Sequence, residues 1–303
     1  MSVQPQRVFV TGGRGRLASL IAEHFRAPAH ELAMFSRTAS PGFRSHLELL
    51  QSSAVADCTT VLHLAWSTLP ASSEAHPGSE ARYDLPLLAG LLDSIARIAV
   101  SPRPHLVFFS TGGAVYGDAP ARPNREDDPC SPVGRYGQAK LAAEKMIVAC
   151  ADREGLPYTI LRISNPYGYP VAKNRPQGLI AHALRCAVEG QSLTIWGDGS
   201  ARKDFLYYED FLSALEVVVS RRVTGTYNLA AGESHTVNEV IELVQTATGK
   251  RIDLSHSPAP SWDVQDSRLD NSRLIAATGW RPQVLLSDGI RRAAARYAPS
   301  MSP

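Results

Sequence analysis

The sequence is short of cysteine, of net charge and of long apolar runs, and each shortage excludes something. Its four cysteines, Cys58, Cys130, Cys150 and Cys186, stand too far apart for metal-finger or CxxC spacing. Neither a zinc site nor a disulfide framework is expected, and no metal is assigned. Free thiols fit a reducing compartment. Basic and acidic residues number 31 and 29, for a net charge of +2, which gives no general field for gathering nucleic acid or membrane lipid. No apolar run approaches the roughly 18 residues that a membrane helix needs. The opening MSVQPQRVFV runs straight into an apolar strand, without a signal-peptide core. A soluble cytoplasmic protein with no nucleic-acid and no membrane partner is the expectation. There is no internal repeat and no long low-complexity tract, which leaves globular folds. What the chain does have is core: 44% of its 303 residues are hydrophobic, enough for one large domain or two closely joined lobes.

Short apolar runs at 7–10, 31–35, 60–65, 106–110 and 158–162 alternate with helical patterns at 17–25, 84–99 and 136–150. Near-continuous apolar strands between helices indicate a parallel sheet covered on both faces. Right-handed crossovers then give an α/β, Rossmann-type doubly wound fold. The second half is more mixed, with helices at 178–189, 210–220, 237–248 and 287–298 and strands at 193–196 and 226–229. It reads as a smaller C-terminal mixed α/β substrate lobe over 166–204 and 231–303. The first domain takes 1–165, with about 205–230 returning to it. Loops are expected at 67–80, 118–133, 169–177 and 255–270, which are rich in Pro, Ser, Gly or charge.

The segment VFVTGGRGRLA at 8–18 joins the first strand to the first helix. Gly12 permits the tight turn, Gly15 lets the backbone approach a pyrophosphate, and Ala18 allows close helix–sheet packing. The helix start then offers free N–H groups and partial positive charge. Gly12, Gly13, Arg14, Gly15, Arg16 and Leu17 are therefore candidate dinucleotide contacts. The plainer alternative is a glycine-rich turn without a ligand; the strand before it and the helix after it favour the dinucleotide. The second strand ends in Ser36 and Arg37, where a dinucleotide fold usually places an Asp or Glu for the ribose hydroxyls. A carboxylate would repel a 2′-phosphate, whereas Ser36 and Arg37 can bind it, so NADP(H) is favoured and NAD(H) possible.

Tyr136-Gly137-Gln138-Ala139-Lys140 opens a helix, and residues four apart share a face. A free tyrosine, with pKa about 10, is a poor base at neutral pH. A nearby ammonium stabilises the phenolate and lowers that pKa. Alone, such a pair is common surface decoration.

Here it comes with TGGRGRLA at 11–18, HLA at 63–65, STGGAVYG at 110–117 and LRISNPYG at 161–168. Further on are WGDGSARKDFLYYEDF at 196–211, YNLAAGE at 227–233 and LDNSRLIAATGWRP at 269–282. Over nearly its whole length the chain resembles the extended short-chain dehydrogenases/reductases. It is most similar to the NAD-dependent epimerase/dehydratase family, which includes UDP-glucose 4-epimerase. The resemblance implies that Tyr136 is the acid/base, and that Lys140 tunes it and binds the nicotinamide ribose. It sets Leu64 and Ala65 against the cofactor and Asn165 against a nucleotide-linked sugar. It also implies a homodimer built by pairing the 84–99 and 136–150 helices across a twofold axis; the alternative is that both stripes face the chain's own sheet.

The pattern is broken in places. The family's Ser or Thr, four residues before the Tyr of VYG, falls on Gly112, so the hydroxyl must come from Thr111 or be missing. Lys203 stands where an Arg normally grips the diphosphate, with Arg202 beside it; Lys gives charge without a two-pronged grip. The second phosphate Arg is absent from 260–264, and Arg268 is the nearest candidate. Trp66 replaces a usually small residue and would narrow the sugar pocket, or else pack in the core. Asp84 stands where Asn is common. The acid/base pair of a dehydratase is missing at Gly113 and Ala114. The expected activity is epimerisation of a nucleotide-hexose, at C4, through a 4-keto sugar. The alternatives are an NADPH-dependent reductase of a nucleotide-linked 4-keto sugar and a non-catalytic NADP(H)-binding protein.

Overall fold

The computed structural model describes residues 6–26, 28–51, 53–98, 102–119, 121–169 and 178–297. In chain order these form β1 (Gln6–Thr11), α1 (Arg16–His24), β2 (His30–Ser36), β3 (Arg44–Ser45), α2 (His46–Gln51), β4 (Thr60–His63), α3 (Pro70–Ala75), α4 (Leu85–Ala96) and β5 (His105–Thr111). Next come α5 (Gly112–Val115), α6 (Arg135–Glu154), β6 (Tyr158–Ile163), β7 (Asn165–Tyr167), α7 (Leu179–Glu189), β8 (Leu193–Trp196) and β9 (Arg202–Tyr207). The chain closes with α8 (Tyr208–Arg221), β10 (Gly225–Leu229), β11 (Ser234–Thr236), α9 (Val237–Thr248), β12 (Leu254–Ser257), β13 (Asp266–Ser267), α10 (Ser272–Thr278) and α11 (Leu286–Tyr297). Two compact units result: 1–111 with 134–162 and 215–227, and 112–133 with 163–214 and 228–303.

The first unit is built on a seven-stranded sheet in the order β3-β2-β1-β4-β5-β6-β10. Parallel registers tie β1 to both β2 and β4, with Val8 opposite Leu32 and Thr60. This is the Rossmann-type order: it reverses at β1, and the carboxyl ends of β1 and β4 meet at the reversal. The apolar runs in the sequence are explained by burial on both faces. Val8, Val10, Val61, Leu62, Leu106 and Val107 are fully buried. On α4, Leu88, Leu91, Leu92 and Ile95 recur at helical spacing and sink into the core with Phe108, Ala143 and Ile147. The α4 stripe thus lies in the unit's own core, as does the α6 stripe at Ala143 and Ile147. Gly155, with φ 66°, ends α6 in the left-handed conformation that a side chain would strain.

The second unit has its own core, where Ile180, Ala183 and Leu184 of α7 meet Val240, Ile241 and Val244 of α9 and Ile290 of α11. Its strands are short: β11, β9 and β13 in order, β7 on β9, and a separate β12-β8 pair. The start of α9 is fixed by a capping box, in which Thr236 Oγ1 accepts from Glu239 N at 3.1 Å and Glu239 Oε2 accepts from Thr236 N at 2.7 Å.

Two expected loops are partly regular. The 67–80 stretch contains α3, started by Pro70 at a position where its missing N–H costs nothing. The 255–270 stretch contains most of β12 and all of β13, exposed or two-residue strands set by pairing with β8 and β9 rather than by pattern. The 169–177 loop lies outside the described residues except for Tyr169, as do Ala99 and Ala298, the expected ends of two helices. Among the described residues no helix is long and apolar enough to cross a membrane.

Candidate functional site

The glycine-rich turn leaves β1 at the sheet's reversal. Gly12 has φ +71°, and a Cβ there would lie 2.8 Å from Ala65 N, so the HLA segment after β4 and the turn demand glycine of each other. Gly13 N donates to Phe35 O and Gly15 N to Gly12 O, both at 2.8 Å. Thr11 Oγ1 shares a 2.9 Å bond with His63 Nδ1 and accepts from Ala65 N at 3.2 Å. Burial, and then the Lys140 charge, depress His63 to about pKa 3, so this tie is made by a neutral imidazole. Helix α1 starts with Gly15 as N-cap, with no side-chain cap and no acidic residue in its first turn. That first turn therefore carries no carboxylate of its own to compete with an incoming phosphate.

His46 was not singled out by the sequence, and its Nε2 lies 3.4 Å from Gly12 N as acceptor. Burial holds its pKa below the usual imidazole range, which keeps the nitrogen free to accept. A histidine 34 positions from the motif carries no local signal.

Arg14 donates to Ser40 Oγ at 2.7 Å and lies over the Phe43 ring. Ser36 is buried, and its hydroxyl donates to Thr38 O at 2.6 Å. Arg37 is exposed.

Helix α6 carries Tyr136 and Lys140. Its first residue is anchored by Arg135 N donating to Glu74 Oε1 at 2.7 Å. The Lys140 ammonium is buried and donates to Phe109 O, on β5, at 2.7 Å. Its centre lies 3.8 Å from the Trp66 ring centroid, 4.8 Å from Phe108 and 5.9 Å from Tyr136. Trp66 meets Tyr136 edge-on at 6.5 Å. Burial pulls the Lys140 pKa down to about 7 against the pull of Asp84 and Glu144. Burial, with the Glu80 and Asp84 charges, drives the Tyr136 phenol well above its ordinary value. In this state Tyr136 is firmly protonated, and further positive charge is needed to make it a base.

Two buried carboxylates lie behind this pair, on a π turn at Glu80–Asp84 that leads into α4. Asp84 accepts from Ser67 N at 2.8 Å and from Ser67 Oγ at 2.5 Å; Glu80 accepts from the Thr68 hydroxyl. Burial raises the Asp84 pKa. Asp84 was noted in the sequence only as a departure, and the chance to read it lay in its position at a helix start. One turn beyond Lys140, Glu144 is clamped by Arg162 Nη2 at 2.7 Å and by the Ser110 hydroxyl. Thr111 closes β5, half-buried.

Apart from Trp66, the expected phosphate and sugar contacts lie in the second unit. Asn165 Nδ2 donates to Asp204 O at 2.8 Å. Lys203 Nζ is ion-paired with Asp263 at 3.0 Å and also donates to Val264 O. Arg202 Nη2 donates to Ser234 O at 3.2 Å, and Arg268 pairs with Asp266 at 2.8 Å. Adjacent strand residues point to opposite faces, so Arg202 and Lys203 leave β9 on opposite sides. Asp204 is buried and accepts from Ala231 N and Gly232 N at 2.9 and 2.8 Å. Burial lifts it to about pKa 6.

The first unit's residues fit a nicotinamide dinucleotide. Gly12 and Gly15 clear the backbone for a pyrophosphate, α1 begins there with no acidic residue in its first turn, and Lys140, with one N–H on Phe109 O, keeps donor capacity for a ribose. Sheet order, turn and Tyr–Lys helix together define an extended short-chain dehydrogenase/reductase. A model of the NAD dependent epimerase/dehydratase family matches residues 8–230, and the chain belongs to that family of NAD-dependent enzymes. It is 30% identical over 187 residues to a putative UDP-glucose 4-epimerase of Methanocaldococcus jannaschii, covering 62% of this chain and 61% of that one. With UDP-glucuronic acid decarboxylase 1 of Danio rerio the identity is 24% over 304 residues, covering 95% of this chain and 71% of that one. The chain therefore aligns with less than two thirds of the archaeal protein's length. The solved Thermus thermophilus UDP-glucose 4-epimerase, in complex with NAD, matches with a TM-score of 0.86 at 28% identity, over 96% of this chain and 99% of that one. These findings speak for NAD(H) and lend no support to the expected preference for NADP(H).

Proposed function

We propose that the chain is a nucleotide-sugar 4-epimerase. The observation that carries the reading is the Tyr136–Lys140 pair on α6, with the ammonium buried and hydrogen-bonded to the end of β5. The chemistry a nicotinamide would supply there, when bound, is removal of hydride from C4 and its return to the opposite face of the 4-keto sugar. Tyr136 would take the proton of the C4 hydroxyl and give it back to the ketone oxygen, while the Lys140 charge stabilises the phenolate. Thr111 would donate to the same oxygen. Lys203 would exchange Asp263 for the substrate diphosphate, helped by Arg202 or Arg268, and Asn165 would hold the sugar nucleotide. A homodimer belongs to the same reading; Ala139, Ala142 and Met146 remain half-buried on α6, and light scattering that gives one chain per particle would remove it.

The test is incubation with UDP-hexoses and UDP-hexuronic acids, with and without NADPH. The expected result is interconversion of C4 epimers with no net use of reductant. A second reading, reduction of a nucleotide-linked 4-keto sugar, is favoured by Arg37, and stoichiometric NADPH consumption on such a ketone would replace the first.

Cofactor choice is a separate expectation. No Asp or Glu lies between Glu31 and Glu48, so NAD loses the acceptor that usually selects it. The Ser36 proton is already committed to Thr38 O, which leaves Arg37 as the main partner for a 2′-phosphate. One charge-assisted bond is worth about 1.5–3 kcal/mol, or roughly tenfold to a hundredfold in affinity. Calorimetry is expected to find NADP(H) tighter by that margin, and Ser36→Asp/Arg37→Ala level with NAD(H). Tighter NAD(H) in the wild type would mean that Arg37 stays in solvent.

A further inference from the structure

We propose that Trp66 is a positioning residue for the catalytic pair, its indole face holding the Lys140 ammonium and its edge bracing the Tyr136 ring. The proposal rests on the reading of Tyr136 and Lys140 as that pair and adds a determinant of their charge.

Lys140 has three N–H groups, and Phe109 O takes one. Three aromatic rings also lie near the ammonium: Trp66 at 3.8 Å, Phe108 at 4.8 Å and Tyr136 at 5.9 Å. A cation within about 6 Å of a ring centroid is attracted by the ring's quadrupole, most strongly by tryptophan and most of all when desolvated. An alkyl side chain at residue 66 would leave the same buried ammonium without that attraction. Trp66 is therefore the neighbour best placed to keep Lys140 charged without hydrating it.

The indole is itself held in place. Asp84 takes both the N–H and the hydroxyl of Ser67, which fixes the backbone immediately after Trp66. The π turn that delivers Asp84 is a local distortion of the kind often kept at working sites. Trp66 also meets Phe108 edge-on at 6.0 Å, so its ring is wedged between β5 and α6. The charged and titratable groups bearing on Lys140 are Asp84 on the π turn, Glu144 on its own helix and His63 on β4. Glu80 and Asp84 both act on Tyr136. Asp84, which acts on both groups, favours the ammonium but opposes the phenolate, whereas the indole face favours the ammonium without opposing the phenolate. That difference is what a tryptophan offers here and a third carboxylate would not.

The closing experiment has two arms. In the first, the fluorescence of Trp66 is isolated as the difference between wild type and Trp66→Phe and followed through neutral pH. It is expected to titrate with a midpoint near about 7 as Lys140 loses its proton, and to be flat in Lys140→Met. A flat signal in the wild type, or an unchanged titration in Lys140→Met, overturns the proposal. In the second arm the pH profile of kcat is measured on whichever nucleotide sugar the wild type turns over. Trp66→Leu is expected to lower kcat, leave KM within a few-fold, and move the descending limb, where Lys140 loses its proton, to lower pH by roughly one unit, the equivalent of a desolvated cation–π contact. Trp66→Phe should recover part of the shift. An unmoved limb in a folded Trp66→Leu protein overturns the proposal. If the wild type turns over no nucleotide sugar, the functional reading fails and the fluorescence arm alone decides the role of Trp66.

Discussion

Replacing Tyr136 with phenylalanine is expected to cut turnover by about 10²–10⁴-fold, the usual loss when a positioned acid/base is removed. The substitution deletes one oxygen and keeps the ring, so the edge contact with Trp66 survives and the fold is not disturbed. Calorimetric cofactor binding should stay within a few-fold of wild type, because the turn at Gly12, the start of α1 and the Lys140 ammonium are untouched. The loss should fall on kcat, since the proton is moved in the transition state and not in the bound substrate. Wild-type turnover is itself expected to rise with pH until Lys140 loses its proton. Burial and the charges of Glu80 and Asp84 raise the Tyr136 pKa, so the free chain holds the phenol proton through neutral pH, and the phenolate appears only when Lys140 and bound oxidised cofactor oppose those effects. Retention of wild-type turnover in Tyr136→Phe would mean that another group moves the proton and that the mechanism proposed here is wrong.

Much of this was legible in the residues, for reasons that can be named. The strands of the first unit are buried on both faces, so β1, β4, β5 and β6 appear as apolar runs that no turn residue interrupts. The glycine turn was legible because Gly12 must take positive φ against Ala65, and only glycine does so cheaply. The Tyr136–Lys140 spacing places both residues on one helix face. The second unit was read less well because its strands owe their existence to partners. Strand β12, LSHS, is half to fully exposed and has no apolar alternation; it becomes a strand by lying along β8. Strand β13 is two residues long. What sequence could not show about the site was contact across distance. His46 reaches Gly12 from the start of α2, and Asp84 reaches Ser67 across 17 positions. Trp66, read as narrowing the sugar pocket or as core packing, packs against the first unit's core and also lies against Lys140 and Tyr136. A substitution of small by large is visible in sequence, but which neighbour the large side chain meets is not.

The largest effect on stability is expected at Arg162. Its guanidinium meets Glu144 through Nη2 at 2.7 Å and Nε at 3.1 Å, and the side chains are only 8% and 4% exposed. Glu144 also accepts the Ser110 hydroxyl, so this carboxylate is satisfied by two partners and by no solvent. In Arg162→Met it would stay buried with its cation gone. Leaving one member of a buried pair uncompensated costs about 3–5 kcal/mol, against the roughly 5–15 kcal/mol that holds a typical domain together. Urea unfolding should show that loss in the transition of the first unit. The double variant Glu144→Leu/Arg162→Met removes the stranded charge as well, and replacing a whole buried pair with apolar residues is often close to neutral. It should therefore regain most of the stability, short of about 1 kcal/mol for the Ser110 hydroxyl left without its acceptor. Equal loss in the single and double variants would show that packing around the guanidinium, not the unpaired charge, carries the cost. Activity should not recover with the fold. Glu144 stands one turn after Lys140 and is one of the two carboxylates that favour its ammonium, so its removal lets burial pull the lysine further toward neutrality. The double variant is expected to be nearly as stable as wild type yet slower at neutral pH, which would separate what this pair does for the fold from what Glu144 does for the catalytic lysine.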